Sequence, residues 1–165
     1  MEETVFTRCQ GLDECTQCGR CCSNLRRGDE TTGLTLFPDE KDMFPQDKVR
    51  PYLGRGKDNV TVVFTYQHTE NVCTHLVYYL CQIYESRPLM CRSFPVKIGA
   101  YGLRFSTGCK GVLHTMRKSK TMDREQYEVG AAIEIVERLH EFHTSFQNQD
   151  FRWKYNLVTE EWETY

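Results

Sequence analysis

The clearest hydrophobic period in this chain lies toward its C-terminal end. Val129, Ile133, Val136, Leu139 and Phe146 recur at helical spacing, and Asp123 with Gln126 forms a capping box ahead of them, so one long helix is predicted with those five residues on its apolar side. Beyond it, Phe151, Trp153, Tyr155 and Leu157 alternate with Arg152, Lys154 and Asn156, the period of a closing strand with an aromatic face. The segment before the helix reads as short strands. Gly33–Leu36 predicts one, the β-branched and aromatic run Val60–Tyr66 a second, and Leu76–Leu80 a third that ends at Cys81. Val96–Ile98 and Leu103–Phe105, separated by Gly99-Ala100-Tyr101-Gly102, predict a hairpin. Pro38-Asp39-Glu40 opens a brief helix, Pro88 starts another that carries Cys91, and Pro51, Gly54 and Gly56 mark a loop. The pattern as a whole is that of an α+β protein: a small single domain spanning residues 1–165, with short strands and one long C-terminal helix.

The first thirty residues do not fit any apolar period. They hold Cys15, Cys18, Cys21 and Cys22 among Gly11, Gly19 and Gly28, as expected of a loop or broken helix wrapped around a ligand. On a helix Cys15, Cys18 and Cys22 would share one face while Cys21 would sit off it, and in an extended loop neighbouring side chains diverge, so Cys21 and Cys22 are poorly placed to bind the same ion. Four more cysteines follow at Cys73, Cys81, Cys91 and Cys109, separated by seven, nine and seventeen residues. Closely spaced thiolates select zinc, copper(I) or iron–sulfur clusters over hard cations.

Composition narrows the setting. The chain has 165 residues, a formal net charge of -2 and nine cysteines. That length buries enough surface for an ordinary core without obligatory metal. The charge gives no basic excess for a nucleic-acid partner, and clusters such as Arg26-Arg27 and Arg117-Lys118 read as solvated surface. No stretch is long and apolar enough for a bilayer, so no membrane association is expected. Met1-Glu2-Glu3 is acidic and no apolar run of signal-peptide length follows, so the expected compartment is the reducing cytoplasm, where such cysteines mean metal or redox chemistry more often than disulfides.

The segment Cys81-Gln-Ile-Tyr-Glu-Ser-Arg-Pro-Leu-Met-Cys91-Arg-Ser-Phe-Pro95, with Cys15-Thr-Gln-Cys18-Gly-Arg-Cys21-Cys22 before it and Cys73-Thr-His-Leu76 between, resembles the YkgJ-like cysteine-cluster family, a zinc- or iron-chelating domain. The resemblance covers about residues 15–109 and leaves 110–165 outside it. It departs at Leu76-Val77-Tyr78-Tyr79-Leu80, where relatives usually carry a turn with Gly, Asp or Asn, and Cys9 lies outside the pattern. It implies a bound metal or cluster and assigns no reaction. Some larger proteins similar to this domain are flagellin lysine N-methylases, but this chain shows no glycine-rich turn of the kind that holds S-adenosylmethionine.

The candidate metal ligands are therefore Cys15, Cys18, Cys21, Cys22, Cys73, Cys81, Cys91 and Cys109. Eight thiols suffice for two four-cysteine sites, or for one site with thiols to spare. A C-x2-C-x2-C start is shared with ferredoxin ligand runs, and the wider downstream spacing is not that of a zinc ribbon, so an iron–sulfur cluster of the four-iron type is favoured and zinc is the alternative. Through the resemblance, Arg87 and Arg92 are expected to donate hydrogen bonds toward cluster sulfur or thiolate. Tyr84 and Phe94 read as packing residues, and His75, His140 and His143 as ordinary satisfied or exposed histidines. Three readings follow: an electron-transfer, sensing or accessory iron–sulfur protein acting with a protein partner, a zinc-stapled module whose aromatic C-terminal region meets a partner, and a metal-dependent enzyme using a spare thiol. No catalytic set stands out.

Overall fold

A computed structural model of the chain describes residues 19–56, 62–106, 108–109, 112 and 129–165. It is an α+β structure of short strands with one long helix. The chain divides into two compact units, one made of residues 1–21 and 75–136, the other of residues 22–74 and 137–165. Among the described residues, no helix is long and apolar enough to cross a membrane.

The unit of residues 22–74 and 137–165 is built on two antiparallel sheets. In one, β1 (Leu34–Leu36) and β2 (Val49–Pro51) flank β5 (Tyr66–His68), with Leu34 and Val49 both opposite His68. In the other, the order is β11 (Glu161–Thr164), β10 (Phe151–Asn156), β3 (Leu53–Gly56) and β4 (Val62–Val63). The loop expected around Pro51, Gly54 and Gly56 is thus strand. Pro51 is tolerated because β2 is an edge strand. Gly54 lies opposite Trp153, and the indole Nε1 donates to the Gly56 carbonyl at 3.3 Å, so the bare glycine leaves room for an aromatic to lie across the strand.

The run Val60–Tyr66 is not one strand either. Its described part divides between β4 in one sheet and β5 in the other, because the Phe64 and Thr65 amides both donate to the Leu53 carbonyl (2.7 and 3.2 Å) while the Thr65 hydroxyl accepts from the Leu53 amide. The doubled bonding turns the chain from one sheet to the next. Pro38–Glu40 is a turn followed by a single 3-10 turn at Lys41–Met43 rather than a helix, with the Glu40 carboxylate accepting from the Phe37 amide instead of capping.

Gln67, fully buried, ties these elements together. Its Oε1 accepts from the Gly33 amide at 2.8 Å, and its Nε2 donates to the carbonyls of Pro51 (2.8 Å) and Tyr155 (3.1 Å). Each bond satisfies a half-buried backbone group on a different element. Leu36, Phe37, Phe44 and Leu53 supply the apolar core, and Phe142 lies between Phe64, tilted against it at 4.6 Å, and Phe146, edge-on to it at 5.0 Å.

The unit of residues 1–21 and 75–136 is made of smaller pieces. The hairpin β8 (Val96–Gly99) and β9 (Gly102–Phe105) forms as its sequence predicts, and Val96, Cys109, Val112 and Ala132 make its buried cluster, with Phe94, Ile98, Leu103, Phe105 and Val129 packed on it. Leu76–Leu80 is not a strand but a second hairpin, β6 (Leu76–Val77) with β7 (Leu80–Cys81), turning through Tyr78 and Tyr79 at φ 47° and 64°. The long helix, α3 here (Val129–Thr144), contributes its first half to this unit and its second half to the other. Its capping box lies outside the described residues. Its buried side is also rotated from the expected one: Ala132, Ile135, Leu139, Phe142 and Phe146 follow one another at spacings of three and four, while Ile133 and Val136 are exposed. Alanines and one phenylalanine set the stripe, and a reading weighted to large aliphatics misplaces it.

Candidate metal centre

Gly19 has φ +70°, a left-handed conformation, and directly precedes a short helix, α1 (Arg20–Ser23). A left-handed residue cannot continue a helix, so α1 starts only after Gly19. Within α1 successive side chains point about 100° apart. Cys22 is buried and Cys21 only half-buried, as that divergence requires. Cys15 and Cys18 lie outside the described residues.

Following α1, the chain runs beside residues 69–73 and is zipped to them. The Cys73 amide donates to the Cys22 carbonyl at 2.7 Å, the Leu25 amide to the Asn71 carbonyl at 2.9 Å, and the Arg26 amide to the Asn71 side chain at 3.1 Å. The Arg26 guanidinium closes the zip on the Thr69 carbonyl, through Nε at 2.8 Å and through Nη2. Thus the upstream and downstream cysteine groups meet at Cys22 and Cys73, both 8% exposed. Arg26 is not the solvated residue its neighbourhood suggested. A charge beside another charge looks like surface in sequence, and only a carbonyl more than forty residues away reveals the clamp.

His68 is the other residue that sequence spacing does not single out. It is fully buried, its ring lies 4.6 Å from that of Phe44, Nδ1 is 3.1 Å from the Lys48 carbonyl, and the Thr74 amide approaches Nε2 at 3.4 Å. A neutral imidazole with its proton on Nδ1 satisfies both contacts. His68 thereby holds the backbone just after Cys73. No sequence signal marked it, because it falls just past the predicted strand Val60–Tyr66 and its burial shows only in the structure.

The remaining candidates sit on separate elements. Cys81 is on β7 opposite Leu76, Cys91 is in α2 (Leu89–Ser93), and Cys109 is buried in the cluster beyond the β8–β9 hairpin. Pro88 precedes α2 as expected, and the Cys91 amide donates to its carbonyl at 2.9 Å. Arg87 donates from Nε to the Tyr84 carbonyl at 2.8 Å, with its guanidinium 3.9 Å above the Tyr84 ring. Tyr84 is buried, so the guanidinium lies over a sheltered ring. Arg92 is in the last turn of α2 beside Cys91. Of the histidines set aside, His140 and His143 are exposed on α3, and partial burial, with Arg152 adding to it, holds the His143 pKa below its ordinary value.

Among the described residues, no three His, Cys, Asp or Glu side chains come together in a way that could hold a metal ion. The donor chemistry nonetheless fits zinc or iron: Cys22, Cys73 and Cys109 are at most 8% exposed, and sheltered thiolates are the ligands both prefer. No curated protein and no solved structure matches the chain. The pattern of the CxxCxxCC family, described as "putative zinc- or iron-chelating domain", matches residues 14–126, well over half of the chain. The chain therefore belongs to the CxxCxxCC family of zinc- or iron-chelating domains, and its role is metal-binding.

Proposed function

We propose that the protein carries an iron–sulfur cluster, of the four-iron type, on cysteines drawn from both halves of its pattern. The observation that carries this reading is the pairing of Cys22 with Cys73, which joins the C-x2-C-x2-C-C block to the widely spaced downstream group. Zinc ribbons use two compact C-x2-C knuckles. Here Cys81, Cys91 and Cys109 come instead from a hairpin, a short helix and the segment after a second hairpin. The ligands would be Cys15, Cys18, Cys21, Cys22, Cys73, Cys81, Cys91 and Cys109 or a subset of them, with Arg92, next to Cys91 in α2, and Arg87, just ahead of Pro88, offsetting thiolate charge. Bound there, such a cluster supplies one-electron chemistry, and the protein serves as an electron-transfer, sensing or accessory component for a protein partner in the cytoplasm.

Metal and acid-labile sulfide analysis of anaerobically purified protein tests this. A brown preparation with iron and sulfide in equal amounts is expected. A colourless one with stoichiometric zinc would replace the reading with a zinc-stapled module, the role that the family description equally admits.

A further inference from the structure

The turn between β6 and β7 has the wrong residues for its shape. A two-residue hairpin turn with positive φ at both central positions is ordinarily Asn-Gly or Gly-Gly, because side chains with a Cβ resist the left-handed region. Here it is Tyr78 and Tyr79, 91% and 66% exposed, at φ 47° and 64°. Such strain persists only where surrounding structure over-determines it.

Tyr79 has a contact that Tyr78 is not shown to have. A Cβ built on Gly19 would lie 3.2 Å from Cδ1 of Tyr79 and 3.7 Å from Cδ2 of Leu76. The Tyr79 ring and the Leu76 side chain therefore occupy the space directly over Gly19, the left-handed residue between Cys18 and Cys21. Leu76 is also the cross-strand partner of Cys81. One small hairpin thus presents a candidate ligand, Cys81, and packs over the glycine that precedes α1 and its Cys21.

We propose that Tyr79 is a positioning residue for Cys21: its ring, held by the strained turn, keeps Gly19 in the left-handed conformation from which α1 starts. The inference rests on the metal-binding role of the block and goes beyond it by assigning that role's preorganisation to a residue that is not a ligand. Removing the ring and removing the strain then have separable consequences. Tyr79→Gly relaxes the backbone and deletes the contact. Tyr78→Gly relaxes the backbone and leaves the contact in place. Tyr79→Phe keeps both ring and strain.

The test is Zn(II) affinity by competition with a chromophoric chelator under reducing conditions, read beside the thermal midpoint of the metal-free chain. Tyr79→Gly is expected to lose roughly tenfold in affinity, the scale typical of residues that orient ligands, with a midpoint no lower than that of the unaltered protein. Tyr78→Gly and Tyr79→Phe should bind as the unaltered protein does. A residue with a purely structural part would lower the midpoint instead. Equal Zn(II) affinity in Tyr79→Gly overturns the proposal, as does a loss of the same size in Tyr79→Phe. If the unaltered protein binds no Zn(II), amide exchange at Gly19 and Arg20 in the metal-free chains decides separately: faster exchange in Tyr79→Gly alone supports the positioning role, and equal exchange refutes it.

Discussion

In the unit of residues 22–74 and 137–165, buried polar groups find partners within the chain: Gln67 bonds three backbone groups, the Thr65 hydroxyl accepts from the Leu53 amide, and Glu40 takes the Phe37 amide. In the unit of residues 1–21 and 75–136, the strands among the described residues are two to four residues long, joined as separate hairpins, and the buried cluster is centred on Val96, Cys109, Val112 and Ala132. Isolated two-stranded hairpins are marginal in water. The first unit, which also carries Cys22 and Cys73, has a buried polar and aromatic core of its own. The second holds Cys21, Cys81, Cys91 and Cys109 on different elements, the arrangement in which a shared metal contributes most to order.

Metal removal probes that contrast most strongly. Structural zinc contributes on the order of 10 kcal/mol or more in zinc-finger peptides. A chelator under reducing conditions is expected to abolish amide protection in β8, β9 and α2 while protection at β5 persists. Uniform loss in hydrogen-exchange mass spectrometry would show that both units depend on metal alike, and the contrast would fail.

Gln67→Leu attacks the other unit. It keeps much of the volume but leaves the Gly33 amide and the Pro51 and Tyr155 carbonyls short of a partner, which should cost about 2–4 kcal/mol in urea unfolding. Metal content of the purified variant should not change. A parallel loss of bound metal would mean that the Gln67 network also positions Cys22 and Cys73, which lie in the same unit.

The smallest expected effect is a pH dependence at the surface of the same unit. Arg138 sits 2.8 Å from Asp39, and its hydrogen bond holds the Asp39 carboxyl below the usual carboxylate range. The folded form therefore gives up its proton more readily than the unfolded form. The stabilisation is present above the unfolded value and fades as pH falls through the folded one. Because the pair is largely solvated it amounts to less than about 1 kcal/mol. Asp39→Asn should remove that part of the difference between urea midpoints at about pH 6 and about pH 3; an unchanged difference would show that the pair contributes nothing.

Much of this architecture was legible in local pattern. The β8–β9 hairpin, α2 behind Pro88, β1 and the existence of α3 all follow from periods and turn residues that act over a few positions. The errors share one cause. Gly54 and Gly56 look like loop residues until Trp153, almost a hundred positions later, lies against them. Glu161–Thr164 is too short and polar to be recognised as a strand until Trp153–Asn156 pairs with it. Tyr78-Tyr79 contains no turn residue, so its turn shows only in the backbone.

The sequence by itself determined the donor chemistry, because thiolates at that density admit few metals and because the segments around Cys15–Cys22 and Cys81–Pro95 are specific enough to establish the family. Only the tertiary structure decided which cysteines meet first. Cys22 lies beside Cys73 because Asn71 and the Thr69 carbonyl bind Leu25 and Arg26, and pairing of backbone groups across forty-odd residues depends on chain reversal rather than on any local period.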